Sequence, residues 1–148
     1  MKISKYISYI EATKSMTAIK LGIKNEPNEI QIENMKRVGL IFDEVREYIG
    51  SPLVVSSFFR NEALNKALKG SKSSQHCLGE AIDIDSTDNI YNKQIFDYIL
   101  KNCEFDQLIN EFDYSWVHVS KKESGNRKQV LVAYKDKGVT KYKPYTSQ

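Results

Sequence analysis

The sequence contains two histidines, His76 and His118, and each could share a metal ion with a carboxylate. Asp83 follows His76 by seven residues, in the stretch 81–85, where apolar and polar side chains alternate as in a half-buried strand. His118 alternates with two valines in the stretch 116–120. If the apolar residues of both strands face the core, His118 and Asp83 lie on the same kind of face, and His76 reaches it from the preceding loop. Two imidazoles and one carboxylate with an open fourth position are the ligands of a catalytic zinc ion.

Simpler explanations exist for each of these residues taken alone. A single histidine on a strand is commonly a structural or a surface group, and Asp83 could serve as a turn or capping acid. The residue types by themselves therefore leave both interpretations open.

The elements that must position these side chains follow from the hydrophobic pattern. Apolar residues recur at helical spacing after Asn28, which predicts a long amphipathic helix that ends at Gly50. The stretch 53–58 is typical of a buried strand, and Asn61 can cap a short helix that extends through Lys69.

The second half of the chain is richer in predicted strands. A helix is predicted over about 92–102, and strands over 105–112, 116–120 and 129–134, with a tight turn at Asp113-Tyr114. Helices early and strands late predict an α+β fold with a small antiparallel sheet flanked by helices. A chain of 148 residues is long enough for one such domain, which we expect over 1–148 with a basic C-terminal tail from about 135.

Composition excludes several classes of protein. No apolar run approaches the roughly 20 residues that span a bilayer, so membrane insertion is not expected. The N-terminal residues lack the uninterrupted apolar segment of a secretory signal, so we expect synthesis in the cytoplasm. Cys77 and Cys103 are too few for a disulfide framework, and we expect two buried, reduced thiols.

The net charge of +3 is unevenly distributed. Residues 121–148 contain eight Lys and Arg against two acids, a net +6, so the rest of the chain carries −3. A basic segment of this kind attracts an anionic partner, or it protects the edge of a sheet against aggregation. Because no aromatic and basic nucleic-acid motif accompanies the charge, no specific nucleic-acid binding is expected.

Three segments resemble motifs of a known enzyme family. Ser74-Gln75-His76-Cys77-Leu78-Gly79-Glu80-Ala81-Ile82-Asp83 resembles the S-x-H-x-x-G-x-A-x-D motif of the zinc D-Ala-D-Ala carboxypeptidase family, peptidase family M15. The segment that contains the second metal ligand in that family is similar to Trp116-Val117-His118-Val119-Ser120. The segment that contains the family's substrate-binding arginine is similar to residues 55–60 followed by Leu64-Asn65. The likeness covers roughly residues 8–134 and is greatest to small single-domain members, including phage-encoded peptidoglycan peptidases.

The resemblance implies a fold like that of the Hedgehog and D-Ala-D-Ala peptidase group and a role for several residues. It implies one Zn²⁺ held by His76, Asp83 and His118. It also implies substrate binding by Arg60, whose guanidinium suits a carboxylate or an oxyanion. Ser74 is expected to hydrogen-bond near the site. Asp85, on the same face as Asp83, is either a partner of a zinc-binding histidine or a surface acid that ends its strand.

The general base departs from the pattern of the family. Many members have an acid three residues before the last histidine ligand, where this chain has Ser115. A hairpin that turns at Asp113-Tyr114 would pair Glu111 with Trp116, on the face that carries His118. Glu111 is therefore our first candidate for the base and Asp113 the second, and the alternative is that Glu111 is a structural cross-strand acid. Trp116 is expected to line the cleft where substrate binds.

The resemblance predicts a zinc metallopeptidase that hydrolyses a peptide bond in the stem peptides of peptidoglycan. It implies either removal of a terminal D-alanine or endopeptide cleavage of the endolysin type. Such an enzyme would act on the cell wall after release, or as part of a virion if it is encoded by a phage. The alternative is a catalytically inactive zinc-binding protein with a structural or wall-docking role, which the serine at the usual base position keeps open. The sequence leaves the oligomeric state open.

Overall fold

The computed structural model describes residues 1–147, and the first third of the chain is mainly helical. A small antiparallel pair of strands, β1 (Lys2–Ser4) and β2 (Ile7–Ser8), is followed by two short helices, α1 (Tyr9–Thr13) and α2 (Met16–Leu21). These four elements were not predicted from the sequence, because each is shorter than the window over which periodicity is informative.

The long helix α3 (Glu29–Ile49) confirms the prediction of an amphipathic helix after Asn28. The Asn28 side chain accepts a hydrogen bond from the Gln31 N–H, and the Gln31 side chain accepts one from the Asn28 N–H, which is a reciprocal cap. At the other end Gly50 has a φ of 75°, a left-handed conformation that stops the helix.

A six-stranded sheet forms the other half of the fold. Its strands are β3 (Val54–Ser57), β4 (Ala81–Asp85), β5 (Gln107–Glu111), β6 (Trp116–Ser120), β7 (Gln129–Asp136) and β8 (Val139–Pro144). They lie in the order β3-β4-β6-β5-β7-β8. Helix α4 (Glu62–Ala67) follows β3, and α5 (Asn92–Asn102) connects β4 to β5.

The α+β class is confirmed, with one difference in the sheet. Four of its five strand pairs are antiparallel, but β5 and β7 are parallel. The chain reverses direction after β5 and again after β6, so β7 runs in the same direction as β5. Because β7 pairs with β5 on the side away from β6, these two strands are parallel neighbours.

One face of the sheet packs against the helices and forms the core. Ile82 and Ile84 of β4 and Val117 and Val119 of β6 have no exposed surface, as do Ile95 and Phe96 of α5 and Met35 and Val38 of α3. The opposite face carries Asp83 and His118, as the alternation predicted. Strand β3 is an edge strand whose residues are half-buried or exposed, which corrects the expectation of a buried strand.

The segment expected as a basic tail is part of the sheet. Residues 135 and 136 complete β7 and residues 139–144 form β8, and Asp136 pairs with Val139 across the turn. Lys135, Lys141 and Lys143 are exposed along this outermost hairpin. Across residues 1–147 no helix has both the length and the apolar character that crossing a bilayer requires.

Candidate metal centre and cleft

Asp83 and His118 are brought together by the pairing of β4 with β6. The two residues are directly opposite each other in the antiparallel register. His118 Nδ1 lies 2.9 Å from Asp83 Oδ1. Because the isoleucines and valines of these strands face the core, both polar side chains point to the open face.

His76 reaches the same place from a 3-10 turn, Gln75–Leu78, that precedes β4. The Ser74 hydroxyl caps this turn and accepts a hydrogen bond from the His76 N–H at 3.3 Å. His76 Nδ1 lies 2.6 Å from the Phe58 carbonyl oxygen, and because a carbonyl only accepts, Nδ1 carries the proton. Nε2 therefore has a free lone pair, and it lies 3.4 Å from Asp83 Oδ1.

Helix α3 holds the turn that carries His76. Gln31 Nε2 donates to the Cys77 carbonyl at 3.1 Å, and Asn34 Nδ2 donates to the Leu78 carbonyl at 2.9 Å. Gly79 has a φ of 75°, and a Cβ at this position would lie 2.5 Å from the Gln31 carbonyl oxygen. The glycine of the motif thus meets two requirements, a left-handed backbone and a close approach to α3.

The three side chains fit a divalent metal ion. One ligand atom from each of His76, Asp83 and His118 can be chosen so that all lie within 4.8 Å of one another. Two ligands at about 2.0–2.1 Å from a tetrahedral zinc ion are about 3.4 Å apart, which matches the separation of His76 Nε2 from Asp83 Oδ1, while His118 Nδ1 is closer, at 2.9 Å. Burial opposes ionisation of Asp83, but the two histidines outweigh it and hold its pKa well below the ordinary range. Asp83 is thus ready as an ionised ligand.

Glu111 lies in the same cleft and is 8% exposed. It pairs with Trp116 in the β5–β6 register, as predicted. Burial raises the pKa of Glu111 to about 7; the charge of Asp83 adds to the rise, while the charges of His118 and Arg60 oppose it. A carboxyl group with this pKa can both accept and release a proton near neutrality.

The other candidate base and Ser115 lie in the β5–β6 turn. Asp113 is exposed, with a φ of 55°, and is not among the residues that line the cleft. Its place as second candidate for the base is therefore not supported. The Ser115 hydroxyl donates to the Phe112 carbonyl at 2.7 Å, so it closes the turn.

Arg60 lies where the chain leaves β3 and lines the cleft beside the metal centre. Its backbone N–H donates to the His76 carbonyl at 3.2 Å, and its Nη1 donates to Asn65 Oδ1 at 3.3 Å. In the described part of the chain, Arg60 Nε and Trp116 Nε1 are the two buried side-chain polar atoms without a hydrogen-bond partner. Both belong to residues that line the cleft, but the two atoms themselves have almost no accessible surface, so a ligand pairs with them only after a side-chain movement.

Two expectations from the sequence need correction. Asp85 Oδ1 accepts hydrogen bonds from the Ser86 N–H and Asn92 Nδ2, both at 2.8 Å, so Asp85 fixes the start of α5 and does not contact a histidine. Cys77 and Cys103 are free thiols as expected, but they are only partly buried, and Cys77 is not part of the metal cluster.

The cleft has a volume of about 570 Å³ and extends beyond the residues predicted from the sequence. Leu131, Thr140 and Tyr142, from the β7–β8 hairpin, line it together with the metal centre. No motif pointed to these three residues, because their position depends on strand order and not on a local pattern.

The fold and the site define a class of protein. In this α+β fold, the polar face of the sheet presents two histidines and an aspartate in an open cleft, beside a buried carboxyl group. A site of this kind can hold a metal ion and activate water. Residues 5–120 match the family model described as Peptidase M15, and this match covers more than half of the chain. The chain belongs to the peptidase M15 family, which confirms the resemblance seen in the motifs. No curated protein matches the chain significantly.

Proposed function

We propose that this chain is a zinc-dependent peptidase that hydrolyses a peptide bond in the stem peptides of peptidoglycan. The observation that supports it best is the convergence of His76, Asp83 and His118 in one cleft with the buried Glu111. Zinc suits this donor set, because imidazole nitrogen and carboxylate oxygen are its usual ligands and two neutral imidazoles with one carboxylate leave the site cationic. The ion would polarise the scissile carbonyl and lower the pKa of a bound water towards about 7.

Glu111 moves the proton in this proposal. Its carboxylate takes a proton from the attacking water as the oxygen adds to the scissile carbonyl carbon. The same group then returns that proton to the amine nitrogen as the C–N bond breaks, which leaves a carboxylate and a free amine. A pKa near 7 matches both steps at neutral pH.

Arg60 and Trp116 hold the substrate. The guanidinium offers its charge to a carboxylate or to the developing oxyanion, and the indole of Trp116 forms part of the cleft wall against which the substrate lies. Ser74 contributes indirectly, since its hydroxyl caps the turn that orients His76.

The substrate class rests on the motifs and on the character of the cleft. The His76–Asp83 motif and the Arg60 element resemble those of peptidases that cut cell-wall stem peptides. A cleft that contains a guanidinium group suits a peptide with free carboxylates, such as a stem peptide. Release to the wall, or carriage in a virion, would bring the enzyme to this substrate.

The proposal is tested by hydrolysis of purified peptidoglycan stem peptides by zinc-loaded protein, with product analysis by mass spectrometry. We expect turnover by the wild type and a loss of about 10²- to 10⁴-fold in Glu111→Gln, because general-base catalysis contributes about that much. Zinc content, measured by elemental analysis, should be unchanged, since Glu111 is not part of the ligand cluster. The product masses also identify which bond is cut.

Asp113→Asn is the matched control, because it makes the same kind of change at the exposed acid of the neighbouring turn. We expect its turnover to stay within about twofold of the wild type. One equivalent of bound zinc with no turnover of any stem peptide would contradict the proposal and favour the inactive wall-docking alternative.

A further inference from the structure

The C-terminal hairpin forms a wall of the cleft although it lies outside the segment that matches the family. The match ends at residue 120, and β7 and β8 begin after it. Leu131, Thr140 and Tyr142 of this hairpin nevertheless line the same cleft as the metal centre. Residues of the hairpin are therefore candidates for contacts that the family match does not describe.

Tyr142 occupies the same row of the sheet as two residues of the site. Trp116 pairs with Glu111, Glu111 pairs with Ala133, and Ala133 pairs with Tyr142. The four residues thus lie side by side across β6, β5, β7 and β8. Because residues opposite one another across neighbouring strands project to the same face, Tyr142 shares the face that carries the cleft.

Ala133 leaves space for the phenol ring to approach Glu111. It is the residue between Glu111 and Tyr142 in the row, and its side chain is a single methyl group that is 1% exposed. Strands are about 4.8 Å apart, so Glu111 and Tyr142 are about 10 Å apart at their backbones, within reach of the two long side chains together.

The electrostatics of Tyr142 agree with this placement. Burial raises the pKa of the Tyr142 hydroxyl, and the charges of Glu111 and Asp83 raise it further. The hydroxyl therefore stays protonated at neutral pH and acts as a donor towards an acceptor oxygen. The residue is also 54% exposed, so a ligand in the cleft can reach it.

We propose that Tyr142 is a substrate-binding residue whose hydroxyl donates a hydrogen bond to a peptide carbonyl oxygen, at the end of the cleft opposite Arg60. Arg60 follows β3 and Tyr142 is on β8, the two edges of the sheet, so a peptide held by both would cross the metal centre. This inference rests on the proposed peptidase function and adds to it a contact from outside the family-matched segment.

The test measures binding separately from turnover. Calorimetric titration of a stem pentapeptide ending in D-Ala-D-Ala into zinc-loaded Glu111→Gln gives the parent affinity. We expect the added change Tyr142→Phe to weaken binding about five- to tenfold, which is the value of one neutral hydrogen bond. Zinc content and melting temperature should not change, because the hydroxyl that is removed makes no hydrogen bond within the described part of the chain and Tyr142 is not part of the ligand cluster.

Tyr134→Phe in the same background is the control. Tyr134 follows Ala133 in β7 and so projects to the opposite face, where Lys143 Nζ lies 5.2 Å from its ring centroid. We expect it to leave the affinity for the pentapeptide unchanged.

The outcomes separate this inference from the proposed function. Equal affinities of the parent and the Tyr142→Phe variant, or no binding by the parent, would overturn the role of Tyr142, whatever the turnover of the wild type. Weaker binding specific to Tyr142→Phe would support it even if the wild type hydrolyses no stem peptide, in which case only the peptidase proposal fails.

Discussion

The chain carries no acid three residues before the last histidine of the metal cluster, but a neighbouring strand places one in the cleft. Ser115 holds the position three residues before His118 and uses its hydroxyl to close the β5–β6 turn. Glu111 enters the cleft from β5, next to Trp116 in the register. Because side chains alternate between the two faces of a strand, Glu111 projects to the same face as His118, although the segment just before His118 contains no acid at the usual position.

A second buried carboxylate, Asp106, secures the loop between β6 and β7. Its side chain has no exposed surface and accepts hydrogen bonds from Arg127 Nε at 3.0 Å, Nη2 at 2.7 Å and the backbone N–H at 2.9 Å. The Arg127 side chain, with its charge and hydrogen bonds, lowers the pKa of Asp106 to about 2 from an ordinary 3.8, against the opposing effect of burial.

This pairing predicts a pH-dependent contribution to stability. Because the pKa of Asp106 is lower in the folded state, the stabilisation is complete above about pH 4 and is lost as the pH falls through about 2. We expect Asp106→Asn to lower the free energy of unfolding at pH 7 by on the order of 2 kcal/mol, and by progressively less below pH 4. Urea denaturation across this pH range measures both effects.

Asp136→Asn serves as the comparison, because Asp136 pairs with Lys141 at 2.7 Å on the surface. An exposed pair contributes little, so we expect a change below about 1 kcal/mol. A penalty for Asp106→Asn that stays constant from pH 7 to pH 2 would contradict the role assigned to the carboxylate charge.

At the scale of elements, the metal centre depends on the contact between α3 and the 3-10 turn. Gln31 and Asn34 donate to carbonyls of this turn, and Gly79 passes directly beside the Gln31 carbonyl. The helix therefore fixes the turn that presents His76, although α3 supplies no ligand itself. A helix that is distant in sequence from both histidines therefore helps to position the site.

Gly79→Ala is predicted to destabilise the protein by about 2–5 kcal/mol. The left-handed φ costs about 1–2 kcal/mol for a residue with a Cβ, and contact with α3 adds about 1–3 kcal/mol. Gly125→Ala isolates the first part, because Gly125 has a φ of 71° but no atom within 4 Å of its added Cβ. Urea denaturation of both variants tests this, and equal losses of stability would show that the contact with α3 has no cost.

At the scale of the whole molecule, a bound metal would join three separate elements. Its ligands come from the 3-10 turn, from β4 and from β6, and none of these elements could separate without losing the ion. Metal binding should therefore stabilise the folded state as a unit.

We predict that zinc at about 100 times its dissociation constant stabilises the fold by about 2.7 kcal/mol. For a chain of this length the melting temperature should rise by roughly 5–11 °C. His118→Ala should lose most of this shift, because it removes one of the three ligands. Differential scanning calorimetry with and without zinc gives the comparison, and equal shifts in the two proteins would refute the assignment of His118.

Charge is also a property of the whole molecule. The basic surplus of residues 121–148 is divided between the loop before β7 and the β7–β8 hairpin, where exposed lysines border the open edge of the sheet. Lysines at such an edge discourage pairing with another chain. The absence of specific nucleic-acid binding remains a prediction.

The sequence by itself determined which side chains are candidate ligands, the face of the strand on which Asp83 and His118 lie, and the limits of α3 and α5. These features follow from alternation, periodicity and capping, which are local properties of the chain. Only the tertiary structure decided that β5 and β7 are parallel, that Asp85 bonds to Asn92, and that Tyr142 reaches the cleft. Strand order and register depend on how distant segments pack, and no local pattern encodes that packing.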